Sequence, residues 1–507
     1  MTQAEEQDAF SLRRLSWATL WLSIVEGVFG LIVPLVVLTT VLGFDRAFGI
    51  LLKFVFLPSV IYYVIHFVSF RFGVNQRELA IRSGVAFRRD RRIAFERIQD
   101  VDIEQSFLSR LVGMASLKIT TAGAEADEAT LKYLSYRDAE DLRRILVKAE
   151  KPKSDGASLQ NEFEADCLCD LSVRDLAWGA LTSNLVAALF AMLGAFAYVD
   201  YFSYWGIESF EEAAEKHTRE FFSRYPLNDF ITRGVEYVLF SGSAIKAFLL
   251  ALMGALFSML AFVVKYYGFR LELLGRVATR SYGLLTRRRA SLSQDRIQAL
   301  KLEEGLLRRW FGLVAIRVDT AGDRKELDET KKKDLLVPVI KRADSVGVLQ
   351  KLQPLLSSAS PPLESLSKLA VMRRTRLGTL PVLVAAVLTW FASPWAALVW
   401  LPGLPLIYFF NLKWYHHSGY WCGEHHVIWR HGWLNRSTLF LPIRNIQNVS
   451  LSRSPFDRRL RLATLVIDTA GQSNTGGGAV IPHLPIREAR ALQVQLAEQV
   501  AQARFGW

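Results

Sequence analysis

The sequence predicts an α+β membrane protein: six transmembrane helices in three hairpins, each hairpin followed by a small β-barrel or sandwich with a C-terminal helix. Three observations predict it. Apolar stretches long enough to cross a bilayer come in pairs. One sequence block recurs three times, once after each pair. Basic residues collect on one side of every pair.

Bulk composition sets the frame. At 507 residues the chain exceeds one ordinary domain. Hydrophobic residues make up 51%, charged residues 22%, and mean hydropathy is +0.18, so apolar and charged residues must be segregated along the chain. The net charge of +13 suits cytoplasmic loops obeying the positive-inside rule. Three cysteines, Cys167, Cys169 and Cys422, cannot build a disulfide framework, and the spacing of the first two is CxC rather than CxxC. The polar, acidic N-terminus lacks the basic start of a cleavable signal peptide.

The apolar stretches run over about 15–42 and 48–70, 176–199 and 237–264, and 377–391 and 395–412. They predict a cytoplasmic tail at 1–14 and transmembrane hairpins at 15–70, 175–265 and 376–412. Linkers are expected at 151–174 and 356–375. The last pair is short and carries Pro394, Pro402 and Pro405; it is expected to span because charge flanks only its outer ends. Arg13, Arg14, Arg71, Arg77, Arg174, Lys265, Arg270, Arg373, Arg374, Arg376 and Lys413 all flank one side. The other side holds a loop at 200–236 with eight acids against four bases. Both termini are therefore expected in the cytoplasm.

The repeat occupies 71–150, 266–355 and 413–507. Gly84, Gly283 and Gly432 each stand thirteen residues before a polar–Ile–Gln triplet. The triplets contain Arg97 and Gln99, Arg296 and Gln298, and Asn445 and Gln447. A Thr-Ala-Gly follows, ending at Gly123, Gly322 and Gly471, with the last glycine 25 residues after the isoleucine in every copy. The segments 117–120, 316–319 and 465–468 read as strands reaching a turn. Helical periodicity closes each copy: Ala139, Leu142, Ile145 and Leu146 share a face, as do Ala489, Leu492, Leu496 and Val500.

This signature, an Arg-x-Gly, an Arg-Ile-Gln and a Thr-Ala-Gly, resembles the bacterial pleckstrin-homology-like domain of the YdbS/YdbT type of membrane protein. The resemblance covers almost the whole chain and implies a bent antiparallel sheet capped by one helix in each copy. It also implies a protein partner, including a small pleckstrin-homology-like membrane protein of the same family encoded alongside. The third copy departs from the pattern with Asn445 for arginine and Arg461 for the glycines at 113 and 312.

Functional candidates are few. Glu26 lies about 18 Å into the first span and is expected to hydrogen-bond Asn184 in the bundle core. Residues 275–310 carry nine bases against three acids, and 424–461 seven against two. Arg287, Arg288, Arg289, Arg308, Arg309, Arg458 and Arg459 are the candidates for meeting anionic lipid or a partner. His416, His417, Cys422, His425, His426 and His431 match no metal-ligand spacing, so no metal and no cofactor is expected. No P-loop, GxSxG, HExxH or post-strand GxGxxG occurs, so no enzyme is expected either. The expected role is a scaffold binding a protein partner, another copy of itself or membrane lipid, but not nucleic acid. A transport component using Glu26 and an anionic-lipid sensor are the alternatives.

Overall fold

The computed structural model describes residues 13–14, 16–31, 34–35, 38–39, 43–75, 78–84, 89–95, 98–121, 129–149, 166–183, 244–320, 335–354, 356, 361–392, 398–469 and 478–502. The chain divides into two compact units. One holds the first copy with 244–269 and 279–291; the other holds 166–183, 270–278 and everything from 292 on.

In the first unit, strand β1 (Arg13–Arg14) precedes helices α1 (Trp17–Gly30) and α2 (Phe44–Ser69). Ser16 caps α1 by accepting from the Ala18 amide. A π-helical turn at Leu52–Phe56 interrupts α2 just before Pro58, whose missing N–H removes one rung of the ladder. Strands β2 (Arg71–Val74), β3 (Glu78–Ser83) and β4 (Arg89–Ala94) follow, then β5 (Ile98–Gln105), short helix α3 (Phe107–Leu111), β6 (Met114–Thr121), β7 (Ala129–Ser135) and helix α4 (Tyr136–Ala149). One sheet is ordered β1-β2-β3-β4; β5, β6 and β7 pair in a second. Between them lies a core of Phe72, Leu79, Ile81, Ile93, Ile98, Leu117, Ile119 and Leu131, closed by Ala139 and Leu146 of α4. The helical face is narrower than its sequence period suggests, because Ile145 points outward.

The second and third copies repeat this order. The second has β9 (Arg270–Leu274), β10 (Val277–Tyr282), β11 (Arg287–Ser293), β12 (Ile297–Glu304), β13 (Leu313–Thr320) and β14 (Leu335–Lys341). The third has β16 (Gly419–Cys422), β17 (His426–His431), β18 (Arg436–Pro442), β19 (Ile446–Ser452), β20 (Leu462–Thr469) and β21 (Ala479–Pro485). Their helices are α5 (173–183), α6 (Ala244–Tyr266), α7 (Leu306–Trp310), α8 (Arg342–Leu352), α9 (Leu369–Ala392), α10 (Gly403–His417), α11 (Pro455–Arg459) and α12 (Ile486–Gln502). Short strands β8 (Asp166–Asp170) and β15 (Glu364–Ser365) pair with β9 and β16, just as β1 pairs with β2. Each repeat thus ties the chain entering its helices to the chain leaving them.

Two signature features have clear structural causes. Gly84, Gly283 and Gly432 turn the chain at φ of 93°, 114° and 93°. A Cβ on Gly283 or Gly432 would lie 2.0 Å from the carbonyl oxygen of Thr286 or Asn435. The isoleucine of each triplet starts the second sheet and is buried to 3%, 0% and 0% exposure at Ile98, Ile297 and Ile446.

Among the described residues the six transmembrane helices are not found. Among the described residues one helix, Phe44–Ser69, is long and apolar enough to cross a membrane, with 26 residues and mean hydropathy 2.0. Trp17–Gly30 and Leu252–Tyr266 are apolar but shorter. The third pair fails for a physical reason. The first turns of α9 carry Arg373, Arg374 and Arg376, and the last turn of α10 buries Trp414 in the third domain, leaving too few apolar residues for ~30 Å of hydrocarbon. Most of the third apolar stretch and the loop at 200–236 lie outside the described residues.

Arg461 keeps the left-handed backbone of the glycines it replaces, with φ of 55° against 71° at Gly113 and 64° at Gly312. Its carbonyl accepts from the Ile486 amide at 3.0 Å, as Gly113 does from Tyr136 and Gly312 from Arg342. Arg461→Gly is expected to stabilise the third domain by about 1 kcal/mol, since a non-glycine residue there carries roughly that penalty. Thermal unfolding followed by tryptophan fluorescence checks it, with Gly312→Ala expected to shift the midpoint the other way.

Candidate functional site

Successive copies are joined strand to strand. In the first unit β11 of the second copy pairs antiparallel with β5 of the first, through Arg287↔Gln105, Arg288↔Glu104 and Arg289↔Ile103. In the second unit β18 of the third copy pairs with β12 of the second, from Leu300↔Phe440 to Glu304↔Arg436. The register is the same in both. Arg287 and Arg436 each follow their turn glycine by four residues; Gln105 and Glu304 each follow their triplet isoleucine by seven. Each joint uses backbone groups that a sheet edge would otherwise leave unpaired.

Charge fixes each joint. Arg288 grips Glu104 through both Nε and Nη2, at 3.2 and 2.8 Å. Arg289 reaches Glu140 of α4 at 3.5 Å. In the second joint Glu304, 5% exposed, lies 3.4 Å from Arg342 and 3.6 Å from Arg436. A buried carboxylate requires such partners. Arg309 adds a bond from Nη1 to the Trp433 carbonyl at 3.1 Å. The third copy's asparagine finds its purpose here: Asn445 Nδ2 donates to the carbonyls of Ile297 and Gln298 at 2.8 and 3.2 Å. Ala299 is buried within the core cluster of the third domain.

The expected lipid-facing arginines therefore separate. Arg287, Arg288, Arg289 and Arg309 serve the joints, and Arg308 shares α7 with Arg309. Arg458 and Arg459 remain exposed on α11. Of the repeat signature, Gln298 is buried and Gln447 exposed. Arg97, Gly123, Gly322, Gly471 and Asn184 lie outside the described residues, as does the side chain of Gln99.

Asn184, the expected partner of Glu26, lies outside the described residues; among those described, Glu26 meets the first domain. Its Oε1 accepts from the hydroxyl of Ser106, the N-cap of α3, at 3.3 Å. Leu22 of α1 packs with Met114 and Leu108 beside it. The helix therefore docks on the first domain. The equivalent serine, Ser454, caps α11 and receives Arg373 of α9, which also meets Asp457 at 2.9 Å. Burial alone would raise Asp457, but bonds from Ser454 and Arg373 outweigh it and hold the carboxyl below its ordinary value. In the second copy the contact is aromatic, Trp178 against Phe311 of the α7 segment at 4.9 Å.

Beside Arg373 a cavity of about 590 Å³ opens between α9, α10 and the third domain. Leu377, Leu406, Ile407 and Phe410 form its apolar wall; Arg373, Arg374, Asn411 and His483 form its polar one. Arg374 Nε donates to Asn411 Oδ1 at 2.9 Å, and its guanidinium lies 4.2 Å from the Trp414 ring centre. His483 Nδ1 is buried without a hydrogen-bond partner.

Two groups signal no catalytic chemistry. Burial pushes the Cys169 thiol up to about 12, which leaves it protonated and unreactive. Burial, with His425 and Arg444 adding to it, pushes His426 down to about 4. A histidine depressed in the folded state takes up its proton more readily when unfolded. Stability from His426 is therefore full above pH 6.5 and lost as pH falls from 6.5 towards 4. The melting temperature is expected to drop across that window, and less steeply in His426→Gln.

The copies belong together by comparison as well as by geometry. The model of the Bacterial PH domain matches residues 23–150, 230–354 and 366–500. The UPF0699 transmembrane protein YdbT of Bacillus subtilis (strain 168) is 20% identical over 429 residues, covering 81% of this chain and 82% of that protein. No solved structure matches. Three matches over most of the length, each enclosing one set of six strands and a closing helix, place this chain in the Bacterial PH domain family.

Proposed function

We propose that the chain is a non-enzymatic membrane scaffold, holding its pleckstrin-homology-like domains as one joined array at the cytoplasmic face to dock protein partners. The observation that carries this reading is the pair of strand joints in one register. Copies joined strand to strand put several domain surfaces on one chain, which is what a scaffold requires. Attachment to the membrane is supported by the apolar helix Phe44–Ser69 and by the transmembrane relative. The cytoplasmic orientation rests on the flanking bases.

A scaffold works in a complex. Its native mass in solubilised membranes is expected to exceed that of the purified chain. Glu304→Arg places three cations together at the second joint and should reduce that mass; adding Arg436→Glu should restore much of it. An unchanged mass in membranes and after purification, or turnover of a substrate by the chain alone, would overturn the reading.

A second reading, recognition of an anionic lipid, is favoured by the cavity with Arg373 and Arg374 on one wall and aliphatic side chains on the other. Native mass spectrometry with phosphatidylglycerol, phosphatidylcholine and inorganic phosphate tests it. Preferential retention of phosphatidylglycerol, weakened several-fold in Arg374→Ala, is the expected result; equal retention of both lipids sinks it.

A further inference from the structure

A cavity of about 480 Å³ lies wholly within the second unit. It opens where the end of α8 and the turn before β12 meet the β16–β17 turn, the end of β18 and the last turns of α12. The pairing of β12 with β18 brings these pieces of the second and third copies together. The volume suits a small organic ligand.

The walls hold amides that the fold leaves unused. Gln353 directly follows α8 and is 4% exposed. Its backbone is paired: the amide donates to the Leu349 carbonyl at 2.8 Å, and the carbonyl accepts from the Leu356 amide at 3.0 Å. Its side-chain Oε1 and Nε2 are buried and find no hydrogen-bond partner among the described residues. Gln499 of α12 donates from Nε2 to the Gly423 carbonyl at 3.3 Å, which leaves its buried Oε1 in the same state. A buried amide without partners costs free energy, and a ligand that supplied them would recover it.

The rest of the lining selects the ligand. Leu352, Pro442 and Ile443 give an aliphatic wall. Arg276 and Arg444 stand against Asp295 and Glu424, so the charges balance. Arg276 meets Asp295 at 3.4 Å, while Arg444 and Glu424 are exposed. A phosphate would meet carboxylates as well as guanidiniums, and like charges repel. We infer that the cavity binds a peptide of roughly three residues, neutral overall, whose backbone N–H and C=O groups pair with Gln353 and Gln499 while an aliphatic side chain rests on Leu352 and Ile443. Its ammonium and carboxylate, or the next peptide groups of a longer chain, face Glu424 and Arg444. The site is independent of the scaffold role, because copies joined without it would still be joined.

Isothermal titration of the purified full chain tests it. The probes are trialanine, trialanine capped by acetyl and amide groups, trilysine, triglutamate, glucose and inorganic phosphate. Trialanine or its capped form is expected to bind, and the other four to bind more weakly by about tenfold or more. Tighter binding of the free form assigns the site to free peptides; tighter binding of the capped form assigns it to a segment of a longer chain. In Gln353→Leu, affinity is expected to fall about tenfold while the melting temperature rises, because the unpaired amide is gone. Those opposite movements separate a lost ligand contact from a lost fold. Glu424→Lys, at an exposed position, is expected to turn the preference towards triglutamate. Binding of neither form of trialanine, a preference for glucose or phosphate, or affinity unchanged in Gln353→Leu overturns the inference. So does a melting temperature that falls in Gln353→Leu, since the amide would then already be paired, and so does a peptide preference blind to Glu424→Lys.

Discussion

A β-strand edge carries backbone donors and acceptors that must find partners or meet water, and everything distinctive about this chain follows from how it treats its edges. A free-standing pleckstrin-homology-like domain would expose two. Here the first strand of one domain's second sheet is paired with the last strand of the next domain's first sheet, twice. The arginines and carboxylates at these places then settle the register. Arg288 on Glu104 and Arg436 on Glu304 occupy neighbouring steps of the same ladder. Placing Glu304 in a buried position is tolerable only because two guanidiniums converge on it.

Much of the domain was legible in the sequence because its cues are local. A glycine at positive φ and a buried isoleucine at a fixed separation from it are properties of short segments, and they recur intact at Gly283 with Ile297 and at Gly432 with Ile446. The joints were not legible. Whether Arg288 faces water, lipid or Glu104 depends on which strand lies beside it, and no periodicity within β11 encodes that. Within the basic runs, Arg288, Arg289 and Arg309 make side-chain contacts from copy to copy, and Arg458 and Arg459 stay exposed. The spans were misjudged for a related reason. Hydropathy counts apolar residues without asking what covers them, and Leu22 and Trp414 are covered by domains.

Glu26 shows the same limit. Depth along a span says nothing of the domain beside it, and the Glu26 carboxylate meets the cap of α3. The short helix after the first strand of the second sheet is a docking point in every copy. It takes a carboxylate in the first, an aromatic ring in the second and an arginine in the third. The copies keep one place of contact while exchanging the chemistry that fills it. Arg461 and Asn445 belong to the same pattern, one keeping the glycine's backbone, the other using its side chain to hold the preceding domain.

The common register of the two joints has a consequence for how such a chain grows. Because each copy carries one edge of each kind at the same count from its own glycine and isoleucine, inserting or deleting a whole copy keeps the backbone register of the seams. Gene duplication in units of one repeat would keep that register, whereas inserting a single residue between glycine and triplet would spoil a seam. Length in this architecture is therefore a matter of counting copies.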